Sequence, residues 1–182
     1  MAAKGSLMQR FGLQPRQARW LLITLAVLVL DQWTKHLVAA HIVFGERITV
    51  IPGFFDLIYT VNPGAAFSLL ADAGGWQRWF FTVVAVVVSL VLLIWLLRLP
   101  RNARWMPVTL TLILGGAIGN VVDRILYGHV ADFLLFYWQG YHFPAFNVAD
   151  IAISIGAVML LVDAFWLAPR QQHQEQQSKG RS

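Results

Sequence analysis

Apolar and polar positions along the 182-residue chain fall in long blocks. Four stretches, residues 20–40, 79–97, 105–122 and 148–167, are almost continuously apolar. Each is close to the roughly 20 helical residues needed to cross a hydrocarbon core about 30 Å thick. The pattern predicts an all-α membrane protein with four transmembrane helices, forming a single integral membrane domain over residues 1–182. The first stretch has the basic lead and small-residue end, Val38-Ala39-Ala40, of a cleavable signal peptide. Asp31, Gln32, Lys35 and His36 interrupt it, however, and an internal acid and base have no place in such a segment. Between the first two spans, Pro52-Gly53 and Asn62-Pro63-Gly64 break the chain into short pieces. Residues 48–51 and 54–61 are rich in β-branched and aromatic side chains, which predicts short strands around a turn and a small sheet on the outer leaflet. No internal repeat suggests a transporter of two matching halves. The Gln-rich tail, residues 168–182, reads as polar, disordered and cytoplasmic.

Composition agrees with the blocks. Charged residues make up 13% of the chain, well below the roughly 25% of a soluble domain. A net charge of +5 raises the question of a nucleic-acid partner, which the placement of the charges excludes. Ten of the fourteen Lys and Arg lie before the first span (Lys4, Arg10, Arg16, Arg19), between the second and third (Arg98, Arg101, Arg104) or at the end (Arg170, Lys179, Arg181). Alternate loops carry them, as expected of cytoplasmic segments. Both termini are therefore expected in the cytoplasm, with residues 41–75 and 124–145 outside. Of the nine acidic residues only Asp163 and Glu175 lie toward the cytoplasm, so acid chemistry is expected at the outer face. The absence of Cys excludes thiolate metal sites and a Cys nucleophile, and the five His have no ligand spacing. Neither metal nor cofactor is expected.

Ionisable groups inside spans are costly and therefore candidates for function. Asp31 and Lys35 are four residues apart on one helical face and can neutralise each other, so a positioning role and a chemical role both stand. In Gly115-Gly116-Ala117-Ile118-Gly119-Asn120-Val121-Val122-Asp123-Arg124, Gly115 and Gly119 have the spacing that allows close helix approach. Gly116, Asn120 and Asp123 share a face with Arg124 at its edge, either anchoring the helix end or supporting a site. Asn147-Val148-Ala149-Asp150 reads as a helix cap with an acid at the third position, or as part of a site. Asp132 lies in the apolar run Val130-Ala131-Asp132-Phe133-Leu134-Leu135-Phe136 with no local partner. A second carboxylate sharing a proton would satisfy it, and Asp150 is available.

Taken together, Asp31-Gln32-Trp33-Thr34-Lys35, Asn62-Pro63-Gly64-Ala65-Ala66-Phe67, the 115–124 segment, Val130-Ala131-Asp132-Phe133 and Phe146-Asn147-Val148-Ala149-Asp150 resemble the five ordered motifs of the bacterial lipoprotein signal peptidases. The resemblance covers residues 20–167, and its departures, Ala131 and Pro63, touch no proposed catalytic group. It implies a four-helix bundle with a small extracytoplasmic β-cradle and a short outer helix, in the inner membrane. It implies an aspartyl endopeptidase cutting before the diacylglyceryl-modified Cys of prolipoproteins, with membrane lipid around it and sensitivity to the cyclic peptide globomycin. The catalytic acids correspond to Asp132 and Asp150; Asp31, Lys35, Asn62, Gly64, Asn120, Asp123, Arg124 and Asn147 correspond to supporting or substrate-positioning residues. The rival from another class is a small proton-relay or transport protein, since intramembrane Asp, Lys and Arg also mark ion pathways.

Overall fold

The computed structural model describes residues 14–63 and 75–167. A 3₁₀ turn, Pro15–Trp20, leads into helix α1, Leu21–His41. Strands β1 (Arg47–Ile51) and β2 (Phe55–Asn62) follow, then helices α2 (Trp76–Arg98) and α3 (Trp105–Leu126). The chain continues through strands β3 (Val130–Trp138) and β4 (Tyr141–His142) into helix α4 (Val148–Val162), which ends in a π turn, Asp163–Leu167. With their terminal turns, all four helices are long and apolar enough to cross a membrane.

Helix α3 is the centre of the bundle: 56% of its most apolar stretch is buried, against 17% to 22% in the other three. Its glycines make this possible. A side chain at Gly116 would collide with the Ala149 carbonyl of α4, and one at Gly115 would lie 2.8 Å from Val27 Cβ of α1. Gly156 of α4 sits against Ile113 and the Thr109 carbonyl, so α3 and α4 meet backbone to backbone at two levels. Lipid tails offer no hydrophobic drive between helices, and close approach of this kind is what holds spans together. Large apolar side chains such as Leu22, Val83, Val87, Val158 and Leu161 point away from the bundle.

At one end the 3₁₀ turn closes the bundle, with buried Gln17 donating to the Pro100 carbonyl in the α2–α3 turn. At the other end lies a four-stranded antiparallel sheet in the order β1-β2-β3-β4. The sheet is larger than the sequence pattern predicts, because β3 and β4 come from the segment after α3. The aromatic content of Val130–Trp138 fits a strand, and its single acid does not interrupt it. Gln139 and Gly140, both at positive φ (48° and 86°), form the two-residue turn into β4, the connection that matches strand twist. Val38, Ile42 and Phe133 form a small core where α1 meets the sheet, with Leu57, Leu134 and Val148 packed on it. That core fixes β3 over the starts and ends of the helices. No short outer helix occurs among the described residues, and Gly64 and the 168–182 tail lie outside them.

Candidate active site

Where β3, α3, α4 and α1 converge, the polar residues singled out in the sequence come together. Asn147 caps α4: its side-chain oxygen accepts the Asp150 N–H (3.0 Å), and the Asp150 carboxylate accepts the Asn147 N–H (3.3 Å). This is the capping box expected from the sequence. Capping and site formation are not alternatives, however. The Asn147 amide nitrogen donates to Asp132 Oδ1 at 2.7 Å and to the Ala131 carbonyl at 3.3 Å, so one fully buried residue is bonded to both acids.

Asp132, in the middle of β3, is 4% exposed. Its strand partner is Thr60, and Asn62 of the same neighbouring strand hydrogen-bonds its carboxyl. The local partner missing in the sequence is thus supplied across the fold by two asparagines. Burial, and then the charge of Asp150, push the Asp132 carboxyl up to about 7, against the Asn147 hydrogen bond, the Lys35 charge and the Asn62 hydrogen bond.

Behind the two acids lies a charged cluster from α1 and α3. Lys35 is ion-paired with Asp31 and with Asp123, each at 2.8 Å, and donates to Asn120 Oδ1 at 3.1 Å. All four side chains are buried, and one ammonium offsets the charge of two carboxylates out of water, with hydrogen bonds carrying the rest. Asp31 also reaches α4, where its Oδ1 accepts the Ala149 N–H at 2.9 Å and so satisfies a first-turn donor from another helix. Asn120 donates to Asp150 Oδ1 at 2.8 Å. Arg124 donates to the Asn120 carbonyl (3.3 Å), lies over the Phe81 ring and shares its electrostatic surroundings with Asp150, Asp132 and Asp123. Its Nε is buried with no hydrogen-bond partner among the described residues.

Gln32, noted in the sequence only as a polar interruption of the first span and a member of its motif, belongs to the cluster as well. Its amide nitrogen donates to Asp123 Oδ1 (2.7 Å), Asp31 Oδ2 (3.2 Å) and the Gly119 carbonyl (3.3 Å), bridging the two carboxylates that flank Lys35. Its place beside Asp31, one turn from Lys35, is the one signal that points to it. A cavity of about 320 Å³, lined by Gln32, Lys35, His36, Tyr59, Asp123 and His129 among others, opens beside this cluster. Among the described residues no three His, Asp or Glu side chains are grouped as metal ligands.

The sequence profile of the signal peptidase (SPase) II family matches residues 23–166. The chain is 55% identical to the lipoprotein signal peptidase of Pseudomonas putida over 157 residues, 86% of this chain and 90% of that protein. It is 48% identical to the lipoprotein signal peptidase of Acinetobacter baumannii over 157 residues, 86% of this chain and 89% of that one. A solved bacterial membrane enzyme superposes with a TM-score of 0.71 at 32% identity, covering 81% of this chain and 90% of that structure. A second reaches 0.70 at 30% identity, covering 82% and 94%. The chain is a multi-pass membrane protein and belongs to the signal peptidase II family of aspartic peptidases.

Proposed function

We propose that this chain removes the signal peptide of prolipoproteins by hydrolysing the bond before the diacylglyceryl-modified Cys, with Asp132 and Asp150 as the catalytic pair. The observation that carries the pair is Asn147, bonded at once to Asp132 and to both backbone and side chain of Asp150. A transport or proton-relay role is not favoured, given relatives at 48% and 55% identity that are lipoprotein signal peptidases.

Two carboxyls that sense each other's charge can hold one proton between them. Asp132, deep in the sheet and pushed up to about 7, is the natural holder of that proton. Asp150 then takes a proton from a water molecule while Asp132 donates its own to the scissile carbonyl oxygen. The water oxygen bonds to the carbonyl carbon. On collapse the C–N bond breaks, Asp150 passes its proton to the departing Cys nitrogen, and Asp132 recovers its proton from the diol. The unpartnered Nε of Arg124 is suited to hold a substrate carbonyl beside this pair. Asn62 supports Asp132, and Asp31, Lys35, Asn120 and Asp123 support Asp150 from behind. Gly64, outside the described residues, keeps the role implied by the resemblance.

A diacylglyceryl anchor holds the scissile bond at membrane depth, which suits acids placed at the junction of helices and sheet. We place that junction at the outer leaflet of the inner membrane, with both termini in the cytoplasm. The hairpin aromatics Trp138, Tyr141 and Phe143 are 62%, 84% and 60% exposed, as expected of rings resting among lipid headgroups. Globomycin is the expected inhibitor. The test is conversion of a lipidated prolipoprotein to its mature form by purified protein in detergent, without an ion gradient. No conversion, or conversion unaffected by Asp150→Asn, would overturn the proposal.

A further inference from the structure

The amide of Asn120 has a donor end and an acceptor end, and its surroundings leave no choice of orientation. On one side lies the Lys35 ammonium at 3.1 Å, which can only donate. The Asn147 amide nitrogen, also a donor, approaches the same oxygen at 3.4 Å. On the other side lies Asp150 Oδ1 at 2.8 Å. With its oxygen held by Lys35, Asn120 must present its NH₂ to Asp150. Without the ammonium, that oxygen keeps only the longer bond from Asn147, and the amide is held less firmly against Asp150.

We infer that Lys35 is a positioning residue for the catalytic pair: its ammonium fixes the Asn120 amide so that Asn120 donates to Asp150. This rests on the proposed Asp132–Asp150 pair and gives Lys35 a role other than holding substrate. Lys35 is buried, and its ammonium is held by Asp31, Asp123 and Asn120. The flanking carboxylates hold the ammonium in place, and Gln32 ties them together. The charged groups facing the pair are Asp31 and Lys35 from α1 and Asp123 and Arg124 from α3. On β2, the ionisable Asp56 is taken up by Tyr137 of β3 and Arg47 of β1.

The test uses the full chain in detergent with a lipidated prolipoprotein peptide. Asn120→Leu keeps the bulk and removes the donor; Lys35→Met removes the lock. Each should lower kcat at least roughly tenfold with KM within about twofold, because on this inference each acts through Asp150 and not on substrate. Each should also move the alkaline limb of the pH–rate profile to higher pH, since a pair deprived of a donor or of a nearby cation holds its shared proton more tightly. The double variant should be no slower than the slower single, and Lys35→Arg should recover part of kcat. Lys35→Met leaves two buried carboxylates without their cation, so a melting transition accompanies it; if it does not fold, Asn120→Leu decides alone. An unmoved limb in Asn120→Leu, a raised KM with kcat intact, or multiplying effects in the double variant would overturn the inference. Failure of the pair itself is separate, and would appear as cleavage by Asp132→Asn or Asp150→Asn.

Discussion

Asn147 has both ends of its side chain committed, the oxygen to the Asp150 N–H and the nitrogen to Asp132, so neither acid can drift without breaking a bond to the other's support. Replacing Asp132 or Asp150 by Asn keeps size and removes a group that handles protons; each change should nearly abolish turnover in a protein that still melts cooperatively. Their effects should not add, because one loss already disables the unit. Asp31→Asn differs in kind. It weakens the ion pair with Lys35 and the hold on the Ala149 N–H, so the melting temperature should fall while some turnover survives. The raised carboxyl of Asp132 has a stability consequence with a definite sign. Its ordinary value of 3.8 rises to about 7 in the fold, so folding favours the protonated form. The stabilisation this confers is complete below the ordinary value and is lost as pH rises through about 7. Asp132→Asn, neutral throughout, should therefore melt higher than the wild type at pH 8 and lose that advantage at low pH. Melting curves across pH in detergent read this directly, and the same ionisation should set the alkaline fall of wild-type turnover.

The two helices that carry Asn120 and Asp150 can present them face to face only because glycine lets their backbones meet. Gly116→Ala would drive a methyl group into the Ala149 carbonyl, one residue from Asp150. Overpacking of this kind costs about 1 to 3 kcal/mol, and α4 must shift to relieve it. Turnover should fall further than the loss of stability explains, which parallel melting and kinetics would separate. Gly140→Ala, at a positive φ with open space around it, should cost stability in the hairpin and leave turnover nearly intact. The spans, β1 and β2, the close approach at Gly115 and the Asn147 cap were legible in the sequence, because each is written in neighbouring residues. Strand β3 was not: its partner, β2, lies about 70 positions earlier, and an apolar run around one acid does not declare its pairing. The bonds of Gln32 to Asp123, of Asp31 to Ala149 and of Asn147 to Asp132 likewise join elements that only the packed bundle brings together. Motif resemblance could gather these residues into one site; it could not say which one bonds which.

At the scale of the whole molecule, the site sits at one end of the bundle and the basic 3₁₀ and α2–α3 turns at the other. Arg16 and Arg19 lie in the 3₁₀ turn, and Arg98, Arg101 and Arg104 surround the α2–α3 turn to which it is bonded. Arg101 also donates to Gln14, so the two basic segments meet at the same end. Loops rich in Lys and Arg stay in the cytoplasm, and an even number of spans returns the chain to the side from which it began. The end bearing the sheet, Asp132 and Asp150 should therefore face outward, where the lipid-modified Cys of a translocated substrate arrives. The chain contains no Cys, so single-Cys variants give an unobstructed readout. Tyr141→Cys, at an 84% exposed position of the hairpin, should react with a membrane-impermeant thiol reagent in right-side-out vesicles. Ser178→Cys, in the tail, should react only after the vesicles are opened. The reverse pattern would put the acids on the cytoplasmic side and remove the physical basis for a lipoprotein substrate. Labelling of both positions in sealed vesicles would break the even count of spans, and with it the arrangement that gathers the basic loops at one face and the acids at the other.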